Sequence, residues 1–199
     1  MSRDLMAELQ RELVDMRKKG MDTDKIAEAL NLSTDTVIWL ITHLDIGESD
    51  KRLSSDILVD WATIGASPER LRLLGRILAH LVQEKLRTDE IEGVMGLCVN
   101  GVPLAQEVSN VIGKPCVIVQ TRGDIDFLSP FFEIEGKRVV IIDHVISTGR
   151  TLQRVVSKLE ESDTTPLGIF VFVDKRSWKT DKKMTAGVRT YSLVKAVKA

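Results

Sequence analysis

Apolar positions follow two different spacings along the chain, and the change of spacing separates two kinds of structure. Over the first 50 residues, apolar side chains recur every three or four positions, which is typical of amphipathic helices. Beyond about residue 90, short continuous apolar runs alternate with stretches of helical spacing. Such alternation is typical of a parallel sheet with crossover helices. The pattern therefore predicts a small all-α domain followed by an α/β domain.

The all-α domain is predicted to contain a helix-turn-helix unit. A leading amphipathic helix ends at Gly20, and two further helices, 23–30 and 34–43, flank a tight turn. A helix-turn-helix unit needs a small residue where its helices cross, a turn residue that tolerates positive φ, and apolar anchors on its second helix. The residues that meet these needs in order are Ala27, Asn31, Val37 and Leu40.

The second helix of such a unit enters the major groove of DNA. The residues predicted to face the groove are Ser33, Thr34, Asp35, Thr36, Trp39 and His43. Charge argues against this interpretation, because residues 1–52 hold 8 Lys/Arg against 11 Asp/Glu, a net of −3. The alternative is a helical bundle used for dimer contacts. We favour DNA binding, since dimerisation would concentrate the basic residues 17–19 near the DNA backbone.

A polar, aperiodic stretch at 47–52 predicts a linker, so the domains are expected to span 1–50 and 51–199. The segment 56–61 alternates loosely as a strand, and 68–86 carries the spacing of a long amphipathic helix. Further strands are predicted at 94–98, 116–120, 139–143, 169–173 and 188–193, with helices at 104–112 and 151–159.

The composition fits two globular domains and indicates neither a disulfide-rich protein nor a membrane protein. A chain of 199 residues with 43% hydrophobic residues suits one ordinary domain plus a small one. Cys98 and Cys116 lie in apolar runs without histidine at metal-ligand spacing, so we expect reduced thiols in a cytoplasmic protein. No apolar run approaches the roughly 18 residues of a membrane span, so no membrane partner is expected. The net charge of −1 does not by itself favour nucleic acid.

The segment 139–152, VVIIDHVISTGRTL, is predicted to join a buried strand to a phosphate loop. Asp143 is the first polar residue after the apolar run, at the edge where ligands of open α/β sheets bind. Small and hydroxyl residues then lead into a helix, whose first backbone N–H groups and positive dipole end attract an anion. The residues predicted to hold the anion are Ser147, Thr148, Gly149, Arg150 and Thr151.

This segment resembles the phosphoribosyl pyrophosphate signature of the type I phosphoribosyltransferases, in which a strand ends in two acids before a Thr/Ser-Gly loop. Residues 97–104, LCVNGVPL, resemble the pyrophosphate loop of that family, and 173–175 resemble the segment that meets the base in orotate-type members. The resemblance spans 94–193 and implies a type I phosphoribosyltransferase core, a parallel sheet with flanking helices. It places the ribose hydroxyls at Asp143, the 5′-phosphate at 147–151, the pyrophosphate at Asn100, Gly101 and Val102, and the base near Lys175. His144 and Arg122 complete the set of predicted ligand contacts.

Two departures from the family pattern bear on catalysis. The second acid is replaced by His144, and an imidazole, neutral or positive, offsets the charge of a ribosyl cation poorly. The family's mobile loop, rich in lysine and histidine, corresponds here to 121–130, where Arg122 is the single cation beside two acids. Both weaken catalysis while the phosphate loop is kept, which favours binding without turnover. The alternative is an active transferase for orotate or a purine base, with Asp143 and His144 at its catalytic centre.

The order of the two domains is similar to that of the archaeal orotate phosphoribosyltransferase-like transcriptional regulators of the GfcR type. That resemblance implies a homodimeric, DNA-binding regulator that senses phosphoribosyl pyrophosphate or a related sugar phosphate or nucleotide. Mg²⁺ is implied as well, held mainly through ligand oxygens, because the sequence contains no dedicated protein cage for it.

Overall fold

A computed structural model describes residues 3–30, 34–43, 59, 61–121, 124–129, 132–147, 149–176 and 184–196, with only the backbone described at 3–10, 28, 35, 39, 42 and 43. The chain divides into two compact units, 1–58 and 59–199. The predicted boundary near residue 50 lies outside the described residues. No helix in the described part of the chain combines the length and apolar character that a membrane span requires.

The first unit consists of three helices, α1 (Arg3–Lys18), α2 (Thr23–Ala29) and α3 (Thr34–His43). Their apolar faces form a small core of Leu13, Ile26, Ala27, Val37, Leu40 and Ile41, all buried. The predicted crossing residue and both predicted anchors belong to this core. The hydroxyl of Thr34 donates to Oδ1 of Asp24 at 3.2 Å, which links α3 to α2. The turn residue Asn31 lies outside the described residues, so the helix-turn-helix assignment stays a prediction.

The second unit alternates helices and strands. Its helices are α4 (Ala62–Gly65), α5 (Pro68–Lys85), a 3-10 turn (Thr88–Glu90), α6 (Gly101–Ile112) and α7 (Arg150–Glu160). Its strands are β1 (Gly93–Leu97), β2 (Cys116–Gln120), β3 (Asp126–Leu128), β4 (Arg138–Ile146), β5 (Thr165–Asp174), β6 (Met184–Thr185) and β7 (Val188–Lys195). The sheet order is β3-β2-β1-β4-β5-β7-β6, parallel except at the two edges, β3 and β6. The expected α/β core with a parallel sheet is confirmed.

Helices cover both faces of the sheet, which explains why its central strands are continuous apolar runs. In β4, Val139 and Ile141 pack with the apolar side of α7, whereas Val140 and Ile142 pack with α5 and α6. Side chains along a strand alternate between faces, so a strand buried on both sides needs an apolar residue at every position. Phe170 of β5 joins the α5 and α6 side of the core.

Three features differ from the sequence prediction. The segment predicted as a strand at 56–61 is described only at Val59 and Trp61, and both lie outside any strand, with Trp61 directly preceding α4. Strand β4 continues to Ile146, so Asp143 lies within the strand instead of just after it. The edge strands β3 and β6, of 3 and 2 residues, are too short to give a recognisable apolar pattern.

Neither Cys98 nor Cys116 forms a disulfide in this structure, and both are half-buried. Burial raises the pKa of the Cys116 thiol above its ordinary value.

Helices α5 and α6 approach closely at Gly75. A Cβ at this position would lie 2.4 Å from Cβ of Glu107 and 3.3 Å from the carbonyl oxygen of Leu104. Cβ atoms essentially never come within 3.0 Å of a non-bonded heavy atom of another element. A side chain at residue 75 would therefore force the helices apart. The missing side chain is therefore what sets the distance between α5 and α6.

We expect Gly75→Ala to lower the free energy of unfolding by about 1–2 kcal/mol, because an overpacking cost of up to about 3 kcal/mol outweighs the gain of about 1 kcal/mol in helix propensity. Thermal or urea denaturation measures the change. Leu73→Ala, on the exposed side of the same helix, is the control and should shift stability by about 0.5 kcal/mol or less. A stabilised Gly75→Ala variant would mean that propensity decides and that the helices can separate freely.

Candidate ligand-binding site

The candidate site lies at the carboxyl ends of the adjacent central strands β1 and β4. The turn after β1, which contains a cis peptide bond between Cys98 and Val99, leads to α6, and the loop after β4 leads to α7. Gly101 allows the turn after β1 to lie against β4. A Cβ there would lie 2.8 Å from the carbonyl oxygen of Ile142 and 3.1 Å from Cα of Asp143. Glycine at this position therefore allows the predicted pyrophosphate loop to lie against the predicted ribose-binding acid.

Hydrogen bonds join three of the predicted ligand contacts into one network. Oδ1 of Asp143 lies 2.7 Å from the backbone N–H of His144, which donates to it, and 3.0 Å from Nδ1 of the same imidazole. Nε2 of His144 lies 3.1 Å from Nδ2 of Asn100. The contacts are satisfied together by an imidazole with its proton on Nδ1, which donates to the carboxylate while Nε2 accepts from the amide. The His144 and Asp143 side chains are 12% and 15% exposed, so the network is largely shielded from solvent.

Trp61 packs against this network from the start of the second unit. Its ring centroid lies 4.9 Å from that of His144, with 46° between the ring planes. The indole is partly buried against the core that includes α5 and α6. Trp61 is far from His144 in sequence, and no local pattern links the two residues. Trp61 is therefore a neighbour of His144, outside the predicted ligand contacts, that sequence reasoning missed.

The predicted phosphate loop begins directly after β4. Ser147 is half-buried, Thr148 lies outside the described residues, and Gly149 is buried with φ +80°, ψ 4° as the residue that precedes α7. A positive φ at this point is a conformation that glycine adopts without steric cost. Arg150 and Thr151 open α7 and are exposed. The first backbone N–H groups of α7 therefore follow Asp143 by a few residues at the same edge of the sheet, as the anion-binding prediction requires.

A buried ion pair between Arg176 and Asp174 lies next to the same loop. Arg176 donates from Nε to Oδ1 of Asp174 at 3.1 Å and from Nη2 to Oδ2 at 2.9 Å, and Nη1 donates to the hydroxyl of Thr185. A Cβ at Gly149 would lie 3.7 Å from Nη1 of Arg176. The side chains of Arg176 and Asp174 are 7% and 6% exposed. Because Arg176 also bonds to Thr185, the ion pair links the end of β5 to β6 close to the start of α7. Sequence reasoning singled out the neighbouring Lys175 and missed Arg176.

The remaining predicted residues are placed only in part. Lys175 is buried, and its backbone N–H donates to the carbonyl oxygen of Ile146 at 2.9 Å. Arg122 lies outside the described residues, and the corresponding loop segment includes β3, which pairs with β2. Val102 is half-buried in α6, and Thr36 of the first unit is exposed on α3. Ser33 and the side chains of Asp35, Trp39 and His43 lie outside the described part of the structure. These assignments stay predictions.

The described residues offer Mg²⁺ few protein ligands. Among the described residues, no group of three His, Cys, Asp or Glu side chains is arranged to hold a metal ion. Asp143 is the one carboxylate in the described network, and its Oδ1 already accepts two hydrogen bonds. This donor set fits an ion held mainly by phosphate oxygens and water.

Comparison with known proteins establishes the class of this domain. Residues 60–190 match the profile of the phosphoribosyl transferase domain family. Adenine phosphoribosyltransferase from Rhodothermus marinus superposes with a TM-score of 0.56 at 23% identity, over 70% of this chain and 88% of that chain. Orotate phosphoribosyltransferase from Mycobacterium tuberculosis gives 0.55 at 19% identity, over 69% and 77%. The second unit thus has the type I phosphoribosyltransferase fold, as predicted.

Sequence relatives extend the match through the first unit. The transcriptional regulator GfcR of Methanosarcina mazei is 33% identical over 206 residues, which cover 96% of this chain and 97% of the relative. The GfcR of Archaeoglobus fulgidus is 33% identical over 170 residues, 81% of this chain and 84% of the relative. The chain therefore belongs to the GfcR family of transcriptional regulators. The second unit of the chain is its phosphoribosyltransferase domain.

A pair of glycine substitutions tests the predicted anion site. Gly149→Ala and Gly136→Ala both place a side chain at positive φ, +80° and +68°. Each should cost about 1–2 kcal/mol of stability from backbone strain. Only Gly149→Ala should also diminish the rise in melting temperature caused by inorganic phosphate, because it alters the loop whose N–H groups would hold the anion. An equal phosphate-dependent rise in both variants would place the anion elsewhere.

Proposed function

We propose that this protein is a cytoplasmic transcriptional regulator that binds DNA through its first unit and a phosphorylated ribose ligand through its second. Phosphoribosyl pyrophosphate is the leading candidate, with related sugar phosphates and nucleotides as the alternatives. One observation carries the proposal: Asp143, the predicted ribose-binding acid, is hydrogen-bonded to His144 at the position where the family has a second carboxylate. Membership of the GfcR family supports the regulatory role.

The replacement of that carboxylate favours binding over turnover. A transferase must stabilise a ribosyl cation as pyrophosphate leaves, and carboxylates near the ribose supply negative charge for this step. Here Oδ1 of Asp143 is engaged by two donors of His144, which reduces the negative charge it can direct at a cation. A ground-state sugar phosphate carries no such cation, so its binding does not need the second acid.

For the first unit we propose that α2 and α3 form a DNA-binding helix-turn-helix in a homodimer. The burial of Ala27, Val37 and Leu40 supports the helix packing that such a unit needs. Thr36 of α3 is exposed, as a residue that faces a groove must be. A dimer would present two such helices to two half-sites of an operator. Mg²⁺ is proposed to accompany a pyrophosphate ligand, held mainly by its oxygens.

The ligand contact of Asp143 can be tested by thermal melting with phosphoribosyl pyrophosphate and Mg²⁺. We expect the ligand to raise the melting temperature of the wild type, as any ligand of the folded state does. Asp143→Asn should weaken binding by about 10- to 100-fold, the equivalent of one charged hydrogen bond. Asp163→Asn, at the opposite end of α7 in a left-handed conformation that asparagine tolerates, is the matched control. An unchanged ligand response in Asp143→Asn would misplace the ribose.

Turnover is tested separately by pyrophosphate release with orotate, adenine, guanine and hypoxanthine. We expect release at the level of the protein-free blank with every base, because the second acid is missing. An active orotate phosphoribosyltransferase assayed in parallel shows that the conditions permit detection. Clear turnover with any base would replace the regulatory proposal with a phosphoribosyltransferase whose first unit serves dimerisation.

DNA binding is tested by mobility shift on the DNA upstream of the protein's own gene, at low salt, with and without phosphoribosyl pyrophosphate. Thr36→Glu should weaken the shift at least about tenfold, because a carboxylate facing phosphates is a like-charge contact. Ser157→Glu adds the same charge at an exposed position of α7 in the second unit and serves as the control. No shift by the wild type, or equal weakening by both variants, would support the helical-bundle alternative.

A further inference from the structure

The contact between Trp61 and His144 connects the candidate site to the point where the chain enters the second unit. Trp61 is the third residue of that unit. Its carbonyl oxygen accepts hydrogen bonds from the backbone N–H groups of Ile64 and Gly65 at 2.9 Å, so it also holds the first turn of α4. A Cβ at Gly65 would lie 3.6 Å from the indole, which shows that α4 packs against the ring. The indole therefore touches the imidazole on one side and α4 on another.

The imidazole itself is held at both ends by groups that are predicted to bind the ligand. Nδ1 bonds to Asp143, the predicted contact of the ribose hydroxyls, and Nε2 bonds to Asn100 of the predicted pyrophosphate loop. A ligand hydroxyl that donates to the carboxylate, or a phosphate oxygen that accepts from the amide, competes with His144 for the same groups. Occupancy of either position therefore changes what holds the ring that Trp61 contacts.

We propose that His144 is the ligand-sensing residue and that Trp61 transmits its response to the chain entering from the first unit. Binding of a phosphorylated sugar at Asp143 and Asn100 releases or turns the imidazole, and the indole and the first turn of α4 follow. This inference rests on the proposed function, since it requires a ligand at that site. It assigns a regulatory role to two residues that depart from, or lie outside, the phosphate-binding signature.

The physical requirement is that the ligand interacts differently with the two states of the imidazole, because equal affinity for both would shift nothing. Competition for one or two hydrogen bonds supplies such a difference. Couplings between sites in proteins are commonly about 5- to 150-fold in affinity. We therefore expect the ligand to change the affinity of the wild type for its DNA by about tenfold.

Fluorescence of Trp61 gives the direct test. The chain has 3 tryptophans, so Trp39→Phe with Trp178→Phe leaves Trp61 as the single emitter. Phosphoribosyl pyrophosphate should change its emission with the same midpoint as the thermal-shift titration. The imidazole lies against the indole, so His144→Asn in this background changes the surroundings of the emitter and should move the ligand-free emission toward the ligand-bound value. A constant emission while the melting temperature rises, or a ligand-free emission unaffected by His144→Asn, would overturn the inference and leave the proposed function standing.

A second measurement separates transmission from binding. Trp61→Phe keeps an aromatic ring but removes part of the indole surface that meets the imidazole. We expect this variant to keep the ligand-dependent rise in melting temperature and to lose most of the tenfold effect of the ligand on DNA affinity. Full retention of that effect would overturn the role of Trp61. Absence of any thermal response to phosphoribosyl pyrophosphate, ribose 5-phosphate and AMP in the wild type would instead overturn the proposed function, and the inference with it.

Discussion

The candidate site depends on one close contact, between Gly101 at the start of α6 and the backbone of β4. Since a Cβ at residue 101 would meet the carbonyl oxygen of Ile142 at 2.8 Å, α6 can begin beside the strand only with glycine there. This contact brings Asn100 within hydrogen-bonding distance of His144 and sets the turn after β1 next to Asp143. Two segments that are distant in sequence thereby share one edge of the sheet.

The residue at position 144 then determines the electrostatic character of that edge. Two adjacent carboxylates would repel one another and together attract a cation, which suits a ribosyl transition state. An imidazole beside Asp143 replaces that repulsion with a hydrogen bond of 3.0 Å. A neutral imidazole carries one negative charge fewer than a carboxylate, so a phosphorylated ligand would meet less repulsion there and a developing ribosyl cation would gain less stabilisation. The same substitution supplies a ring for Trp61 to contact, which an acid would not offer.

The helices and strands were predicted most accurately where the apolar pattern was longest. Helix α5 was predicted at 68–86 and spans Pro68–Lys85, because its apolar positions repeat over many turns. The strands β1, β2, β5 and β7 were recognised as apolar runs, although β5 begins earlier than predicted, at Thr165. Strand β4 was placed correctly but ended too early, since Asp143 and His144 break its apolar run while its backbone still pairs with β5 as far as Ile146.

The sequence by itself determined the class of fold and predicted the phosphate loop, because both depend on local order: a buried strand, an acid, a glycine and a helix start in succession. It also revealed that the second acid was missing. Only the tertiary structure shows which residues His144 contacts in place of that acid. The contacts of His144 with Asn100 and Trp61, and the position of Arg176 behind Gly149, join residues from separate elements. Such contacts follow from the packing of helices on a sheet, which no local pattern encodes.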